Sequence, residues 1–125
     1  MKNNEYWREK LTDEQFRVCR EKGTERPFSG QWLVKQDNGK FHCVCCDNLL
    51  FVASSQFDSG CGWPSFDEVV SEDQVTLIKD NTHGMTRIEV CCAKCDAHLG
   101  HVFDDGPTVT GLRYCINSVS IDHQQ

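Results

Sequence analysis

The chain has 125 residues, with 13 basic and 19 acidic side chains that give a formal net charge of −6. This length suits one domain, and the acidic balance, without a clustered basic stripe, excludes a protein that binds the phosphate backbone of nucleic acids. No window approaches the roughly 20 apolar residues that span a bilayer, and the first residues lack the apolar region of a secretory signal. We therefore expect a cytoplasmic protein without a membrane partner.

The first part of the chain, over about residues 4–23, predicts one or two helices. Thr12 begins a capping box, because Gln15 lies three residues further on and acidic residues fill the first turn. Gly23 is a natural end for this helix. Cys19 lies on the apolar face of the helix and is interpreted as a small buried residue.

Short runs rich in Val, Ile, Leu, Phe and Trp follow, and turn residues separate them. Two of the turns, QDNG at 36–39 and DNTHG at 80–84, predict hairpins. No long helical pattern lies between the runs, which argues against a parallel α/β sheet. The sequence predicts one mainly β domain over residues 1–125, with antiparallel sheets in a small barrel-like or sandwich-like core over about 31–121. The runs are QWLV (31–34), KFHCV (40–44), LLFV (49–52), VTLI (75–78), TRIEV (86–90), HVF (101–103) and YCINSVS (114–120).

Nine cysteines are an excess for this length, and their odd number rules out a disulfide framework that includes all of them. The pattern C-x-x-C-D-x-x-L occurs twice, at 43–50 and at 92–99. Two such turns can direct four thiolates to one ion, so we expect a closed, structural site for one zinc ion, with redox dithiols or buried thiols as the alternative. Cys45 and Cys91 have no counterparts in the repeat. The predicted ligands are Cys43, Cys46, Cys92 and Cys95.

Two of the remaining cysteines have settings that suit reactivity. Cys61 lies between two glycines in DSGCGWPSF, a flexible loop where a thiol can meet a partner, although it can also be an ordinary loop residue. In RYCIN, strand alternation places Cys115 on one face with Arg113 and Asn117, opposite two apolar residues directed to the core. A nearby guanidinium favours the thiolate, so Cys115 is either a reactive thiol or a packing residue.

The segment HLGHVF follows the second C-x-x-C turn directly. If the chain turns at Gly100, His98 and His101 can serve one site. A metal site is one use for such a pair, but the four-cysteine set is already complete, so proton transfer is the more economical one. Trp63 and Phe103 could supply an apolar wall, although aromatic residues are more often part of a core.

The motifs SGCGWPSF, THGMTRIEV, DAHLGHVFDDGP and RYCINS, with the two C-x-x-C pairs, closely resemble methionine sulfoxide reductases of the B type over about residues 5–121. The resemblance implies a protein-repair enzyme, here expected as a monomer, that reduces methionine (R)-sulfoxide, free or within peptides and proteins. It implies that Cys115 is the nucleophile that becomes a sulfenic acid, and that Cys61 resolves it as a disulfide. The resemblance also implies that a thioredoxin-type dithiol then reduces that disulfide. The residues implied for proton transfer or substrate binding are Trp63, His98, His101, Phe103, Arg113 and Asn117.

A non-catalytic zinc-binding β module, acting as a chaperone or protein-binding domain, is the alternative function, because a fold alone does not determine an activity. The triplet of Arg113, Cys115 and Asn117 favours the enzyme, since a binding module has no need for it. An oxidoreductase of the thioredoxin type is excluded, because the βαβ pattern expected around its C-x-x-C motif is missing. No role is assigned to Cys19, Cys45 or Cys91.

Overall fold

The computed structural model describes residues 3–124, in which two helices precede nine strands. The elements are α1 (Asn4–Lys10), α2 (Asp13–Glu21), β1 (Lys40–Cys43), β2 (Leu49–Val52), β3 (Gln56–Phe57), β4 (Ser65–Phe66), β5 (Val75–Asp80), β6 (Arg87–Cys92), β7 (His98–Phe103), β8 (Arg113–Ile116) and β9 (Ile121–Gln124). The strands form two antiparallel sheets, with the orders β2-β1-β9 and β3-β4-β8-β7-β6-β5. The predicted fold class, mainly β with helices near the N-terminus, is therefore confirmed.

Helix α2 begins where the sequence predicts. The hydroxyl of Thr12 accepts the backbone N–H of Gln15, and the Gln15 side chain accepts the backbone N–H of Thr12, which completes the capping box. The end differs by one residue, because Lys22 rather than Gly23 takes the left-handed conformation, with φ of 59°. Cys19 is 2% exposed, as its place on the apolar face predicts. Neither described helix has the length and apolar content needed to cross a membrane.

Several strand predictions differ from the structure. The run at 31–34 forms turns, because the backbone N–H of Trp32 donates to the Ser118 hydroxyl instead of a neighbouring strand. The predicted hairpin at 36–39 is consequently wrong, and β1 pairs with β2 and β9. The hairpin at 80–84 is present and joins β5 to β6. Strands β3 and β4 were not predicted, since two residues are too few to show alternation. The run at 114–120 is a strand only in its first part, because β8 ends at Ile116 and a 3-10 turn at Ser118–Ser120 leads into β9, which was not predicted.

The two sheets meet in an aromatic core. Phe51 of the smaller sheet stacks on Phe66 of the larger one, with ring centroids 4.2 Å apart and an interplanar angle of 15°. Phe41 approaches Phe66 edge-on at 5.1 Å. Tyr114 and Ile116 of β8 are buried in the same core, as the alternation of RYCIN predicts. The other face of β8, which carries Arg113 and Cys115, is consequently turned away from the core.

Strand β8 lies between β4 and β7, and its register places Cys115 beside Ser65 on one side and His101 on the other. Strand β7 approaches β8 very closely at Gly100. A Cβ atom there would lie 2.0 Å from the carbonyl oxygen of Cys115, so the pairing requires a residue without a side chain.

Gly100→Ala should therefore displace β7 from β8 and lower the free energy of unfolding by about 2 kcal/mol, because the new methyl group meets backbone that cannot rotate away. Thermal and urea unfolding measure the change. Gly23→Ala is the control, since its Cβ would lie 2.6 Å from the flexible end of the Arg17 side chain and no closer than 3.0 Å to any backbone atom. Equal stability of the two variants would contradict the close approach.

Candidate active site

Cys61 and Cys115 are 54 positions apart in the chain, and their sulfur atoms lie 3.5 Å apart. Both are free thiols, and both are partly exposed. Strand β8 fixes Cys115, whereas Cys61 lies in a loop between Gly60 and Gly62, which adopt φ values of 72° and 97°. Such left-handed conformations favour glycine, so the glycines let this loop bring the second thiol to the first.

Hydrogen bonding shifts the pKa values of the two thiols in opposite directions. The hydrogen bond with Cys115 lowers the pKa of Cys61 to about 4, and the hydroxyls of Ser59 and Ser65, at 3.0 Å and 3.5 Å, support this. The same contact with Cys61, together with burial, raises the pKa of Cys115, whereas Arg113 lowers it. Two sulfurs at this distance compete for one proton, and the neighbouring serine hydroxyls favour its loss from Cys61.

A cavity of about 240 Å³ opens beside the thiol pair. Seven of the eight residues predicted for catalysis or substrate binding line it, and His98 is the exception. Three lining residues, Thr24, Arg87 and Gly100, were not predicted. The full lining is Thr24, Cys61, Trp63, Arg87, Gly100, His101, Phe103, Arg113, Cys115 and Asn117.

Arg113 and Phe103 form one wall of the cavity. The guanidinium carbon of Arg113 lies 4.5 Å from the centre of the Phe103 ring. Its Nε and Nη2 atoms donate to the Asp105 carboxylate at 2.9 Å and 3.2 Å, and this pair raises the pKa of Arg113. The stacked and doubly bonded guanidinium is therefore held as a fixed positive charge on the face that carries Cys115.

Trp63 and Asn117 are held by the backbone of one residue, Glu25. The indole N–H of Trp63 donates to the Glu25 carbonyl at 3.0 Å, and the backbone N–H of Glu25 donates to the Asn117 side chain at 2.9 Å. The Asn117 amide also donates to the carbonyl of Leu99 at 3.0 Å. These bonds fix the polar edges of both side chains.

The two histidines lie on the same side of β7 for a reason that the sequence did not show. The predicted turn at Gly100 is absent, and the chain stays extended. Instead, the register between β6 and β7 shifts, so that Val90 faces Gly100 but Cys91 faces His98. This β-bulge places one extra residue in β7, which brings the rings of His98 and His101 to 5.5 Å.

Each histidine is paired with a carboxylate. His101 Nε2 lies 2.8 Å from Asp80, and the pKa of this carboxyl is lowered by hydrogen bonds from Thr82 and His101. His98 Nδ1 lies 2.7 Å from Glu89, and burial lowers the pKa of His98 although the carboxylate opposes this. Only His101 reaches the cavity, so the two pairs occupy different positions relative to the thiols.

The four cysteines of the repeated motif converge, with all four sulfurs within 4.8 Å of one another. The two motifs fold alike: the residue after each pair adopts positive φ, at Asp47 and Asp96, and donates its N–H to the first cysteine of its own pair. The side chain of Asn48, in the first motif, lies 3.5 Å from a sulfur of the second. The predicted cluster of Cys43, Cys46, Cys92 and Cys95 is therefore present and can hold a metal ion.

The SelR domain family matches residues 11–125 of the chain. A peptide methionine sulfoxide reductase MsrB from Pseudomonas fluorescens (strain Pf-5) is 59% identical over 121 residues, which cover 97% of this chain and 93% of the relative. MsrB proteins from Saccharophagus degradans and Cellvibrio japonicus are 56% and 59% identical, and the matches cover 99% and 95% of this chain and 92% and 85% of the relatives. The chain belongs to the MsrB family of methionine sulfoxide reductases.

Three cysteines of this MsrB family member lie outside both the thiol pair and the cluster. Cys19 and Cys45 are buried. Cys91 donates to the Glu89 carboxylate at 3.3 Å, and burial together with this carboxylate raises the pKa of Cys91 to about 12. Cys91 therefore stays a protonated thiol near neutral pH.

Two carboxylates, Asp80 and Glu89, are the main site residues that the sequence analysis of this MsrB chain missed. Asp80 is the first residue of DNTHG, which was interpreted only as a turn. A hairpin turn does not by itself reveal that its first residue faces a histidine on a strand two positions away in the sheet. The order β5-β6-β7 supplies that relationship.

Cys115→Ala should raise the pKa of Cys61 above its value of about 4, because the variant removes the hydrogen bond that lowers it most. The rate of Cys61 alkylation as a function of pH, followed by mass spectrometry, measures this pKa. Alkylation reports the thiolate, so the midpoint should move to higher pH. Cys91→Ala is the control that should leave it in place, and an unchanged midpoint in Cys115→Ala would contradict the shared proton.

Proposed function

We propose that this protein reduces methionine (R)-sulfoxide to methionine, with Cys115 as the nucleophile and Cys61 as the resolving cysteine. The 3.5 Å approach of the two sulfurs, at the wall of a cavity that also contains His101, carries this proposal. Membership of the MsrB family supports methionine sulfoxide reduction in general. The geometry supports the order of steps that follows.

In the first step, the Cys115 thiolate attacks the sulfoxide sulfur, and oxygen passes to Cys115 as a sulfenic acid while methionine leaves reduced. Cys115 must lose its proton for this step, and Cys61, whose sulfur lies 3.5 Å away, takes that proton up as the two sulfurs separate. Entry of the substrate between the sulfurs separates Cys61 from Cys115 and thereby removes the contact that raises the pKa of Cys115 most. Arg113 remains beside it and favours the thiolate.

The sulfoxide oxygen needs a proton, and we assign its delivery to His101. His101 lies directly opposite Cys115 in the pairing of β7 with β8, and it lines the cavity. Asp80 accepts a hydrogen bond from Nε2, which orients the ring. His98 is buried against Glu89 and lies beside the His101 ring, and we assign it a role in positioning that ring.

In the second step, Cys61 attacks the Cys115 sulfenic acid, a disulfide forms and water leaves. The hydroxyls of Ser59 and Ser65, which also lower the pKa of Cys61, favour transfer of the Cys61 proton to the departing oxygen. A thioredoxin-type dithiol next reduces the disulfide by exchange and returns both cysteines to thiols. The partly exposed position of both sulfurs gives such a partner access.

The walls of the cavity suit a methyl sulfoxide. Trp63 and Phe103 present aromatic surface to the methyl group, while Asn117, Arg113 and His101 supply polar atoms. Selection of the R form then follows from which side of sulfur faces the aromatic wall and which faces the donors.

We further propose that the four-cysteine cluster holds one zinc ion with a structural role. Tetrahedral zinc with sulfur ligands at 2.3 Å requires sulfurs about 3.8 Å apart. The distances of 3.7 Å between Cys43 and Cys95 and 3.5 Å between Cys46 and Cys92 fit this geometry. A zinc ion bound by four thiolates has no position for substrate, so it would link the two motifs and take no part in the reaction.

Cys115→Ser should abolish reduction of methionine (R)-sulfoxide, because serine cannot form the sulfenic acid. Cys61→Ser should retain one turnover per enzyme but lose cycling with thioredoxin. A single-turnover assay and a thioredoxin-coupled assay, each on separated R and S sulfoxides, distinguish these outcomes. Reduction by Cys115→Ser would refute the nucleophile, and undiminished cycling by Cys61→Ser would assign resolution to another cysteine.

Cys43→Ser should release zinc and lower the melting temperature by several degrees, because three sulfurs and a hydroxyl hold the ion poorly. Zinc analysis of the purified variant and a thermal scan measure both effects. Cys45→Ala is the matched control, since Cys45 lies within the same motif but outside the four-sulfur set. Full zinc content and stability of Cys43→Ser would contradict the ligand assignment.

A further inference from the structure

Glu25 is a buried acidic residue that the proposed reaction does not use. The residue is 1% exposed, and burial raises the pKa of its carboxyl group. Hydrogen bonds from the backbone at Ser118 and Val119 oppose this rise. Burial of a carboxyl group destabilises a fold unless hydrogen bonds compensate for it, so these backbone contacts are what hold the side chain in place.

The main chain at Glu25 joins two segments that line the cavity. Its carbonyl oxygen accepts the indole N–H of Trp63 at 3.0 Å, and its N–H donates to the side-chain oxygen of Asn117 at 2.9 Å. Three residues further on, the N–H of Phe28 donates to the carbonyl oxygen of Gly62 at 2.7 Å. This segment therefore holds both the aromatic wall of the cavity and the loop that carries the second thiol.

The side chain of Glu25 attaches the same segment to the turn that follows β8. Its Oε1 atom accepts the backbone N–H of Val119 at 3.0 Å, two residues after Asn117. Asn117 is thus fixed twice, through its own side chain and through the turn that it begins. Gly30 leaves room for the carboxylate, since a Cβ atom there would lie 2.5 Å from Oε2.

We propose that Glu25 is a positioning residue for the proposed reaction, and that its side chain sets Trp63 and the loop of Cys61 relative to Cys115. The inference rests on the proposed function, because it concerns binding of the sulfoxide and closure of the disulfide. Glu25 does not line the cavity, so it acts through these neighbours. An amide of the same shape can accept the same backbone N–H, and the role therefore needs neither the charge nor the proton of the carboxyl group.

Closure of the disulfide explains why the loop of Cys61 needs such a support. The two sulfurs lie 3.5 Å apart and must approach to a bond length of about 2 Å. Glycines on both sides of Cys61 give the loop many conformations, and only those that direct one sulfur at the other are productive. Bonds from the segment of Glu25 to Trp63 and Gly62 restrict the loop to this part of its range.

Glu25→Ala tests the proposal in single turnovers with free methionine (R)-sulfoxide. The half-saturating concentration should rise about threefold to tenfold, because loss of one buried hydrogen bond weakens an interaction to this extent. The Cys115 sulfenic acid should also persist, so that dimedone labels a larger fraction of the enzyme. Glu25→Gln should restore both values. Trp63→Phe keeps an aromatic ring but lacks the indole N–H, so it should reproduce the rise in half-saturating concentration.

Leu50→Val is the control for a general loss of stability, since Leu50 is fully buried in β2 and does not line the cavity. It should lower the melting temperature but leave substrate binding and dimedone labelling unchanged. Wild-type behaviour of Glu25→Ala would overturn the proposal, and so would a Glu25→Gln variant as impaired as Glu25→Ala. If Glu25→Ala does not fold, a wild-type half-saturating concentration in Trp63→Phe would overturn it. Failure of the wild-type protein to reduce (R)-sulfoxide would instead refute the proposed function.

Discussion

The candidate site depends on the backbone pairing of β8 with β4 on one side and β7 on the other. That pairing sets Cys115 beside Ser65, which hydrogen-bonds to Cys61, and opposite His101, which pairs with Asp80. Gly100 permits it, because any side chain there would collide with the Cys115 carbonyl. Cys115 and His101 are thus placed by strand register, which is strongly specified wherever one face of a sheet is buried.

The four-cysteine cluster connects one sheet to the other. Its first C-x-x-C turn follows β1 of the smaller sheet, and its second follows β6 of the larger one. Among the described residues, none of the four cluster cysteines lines the cavity, so the proposed metal binding and the proposed thiol chemistry use separate parts of the fold. This separation would let a bound ion keep its sulfur ligands while the thiol pair undergoes the proposed oxidation and reduction.

Local charge differs from the acidic balance of the whole chain. Arg87 and Arg113 line the cavity, and the nearby carboxylates Asp80 and Asp105 each bind one of these arginines. Paired charges hold the side chains without giving the cavity a large net charge. The lowered pKa of Cys61 likewise comes from hydrogen bonds at 3.0 Å and 3.5 Å rather than from the protein's net charge.

The sequence by itself determined the features that short-range patterns encode. The capping box at Thr12 is an interaction between residues three apart, and the repeated C-x-x-C-D motif specifies each half of the cluster through the same local turn. Alternation in RYCIN correctly separated the inner face of β8 from the face that carries Cys115. Only the tertiary structure decided what depends on residues far apart in the chain. It brought Asp80 to His101, and it brought His98 to the same side of β7 through a bulge. These relationships arise from sheet order and register. A hydrophobic pattern shows which face of a strand is buried, but it does not show which strand is the neighbour or in which register the two strands pair.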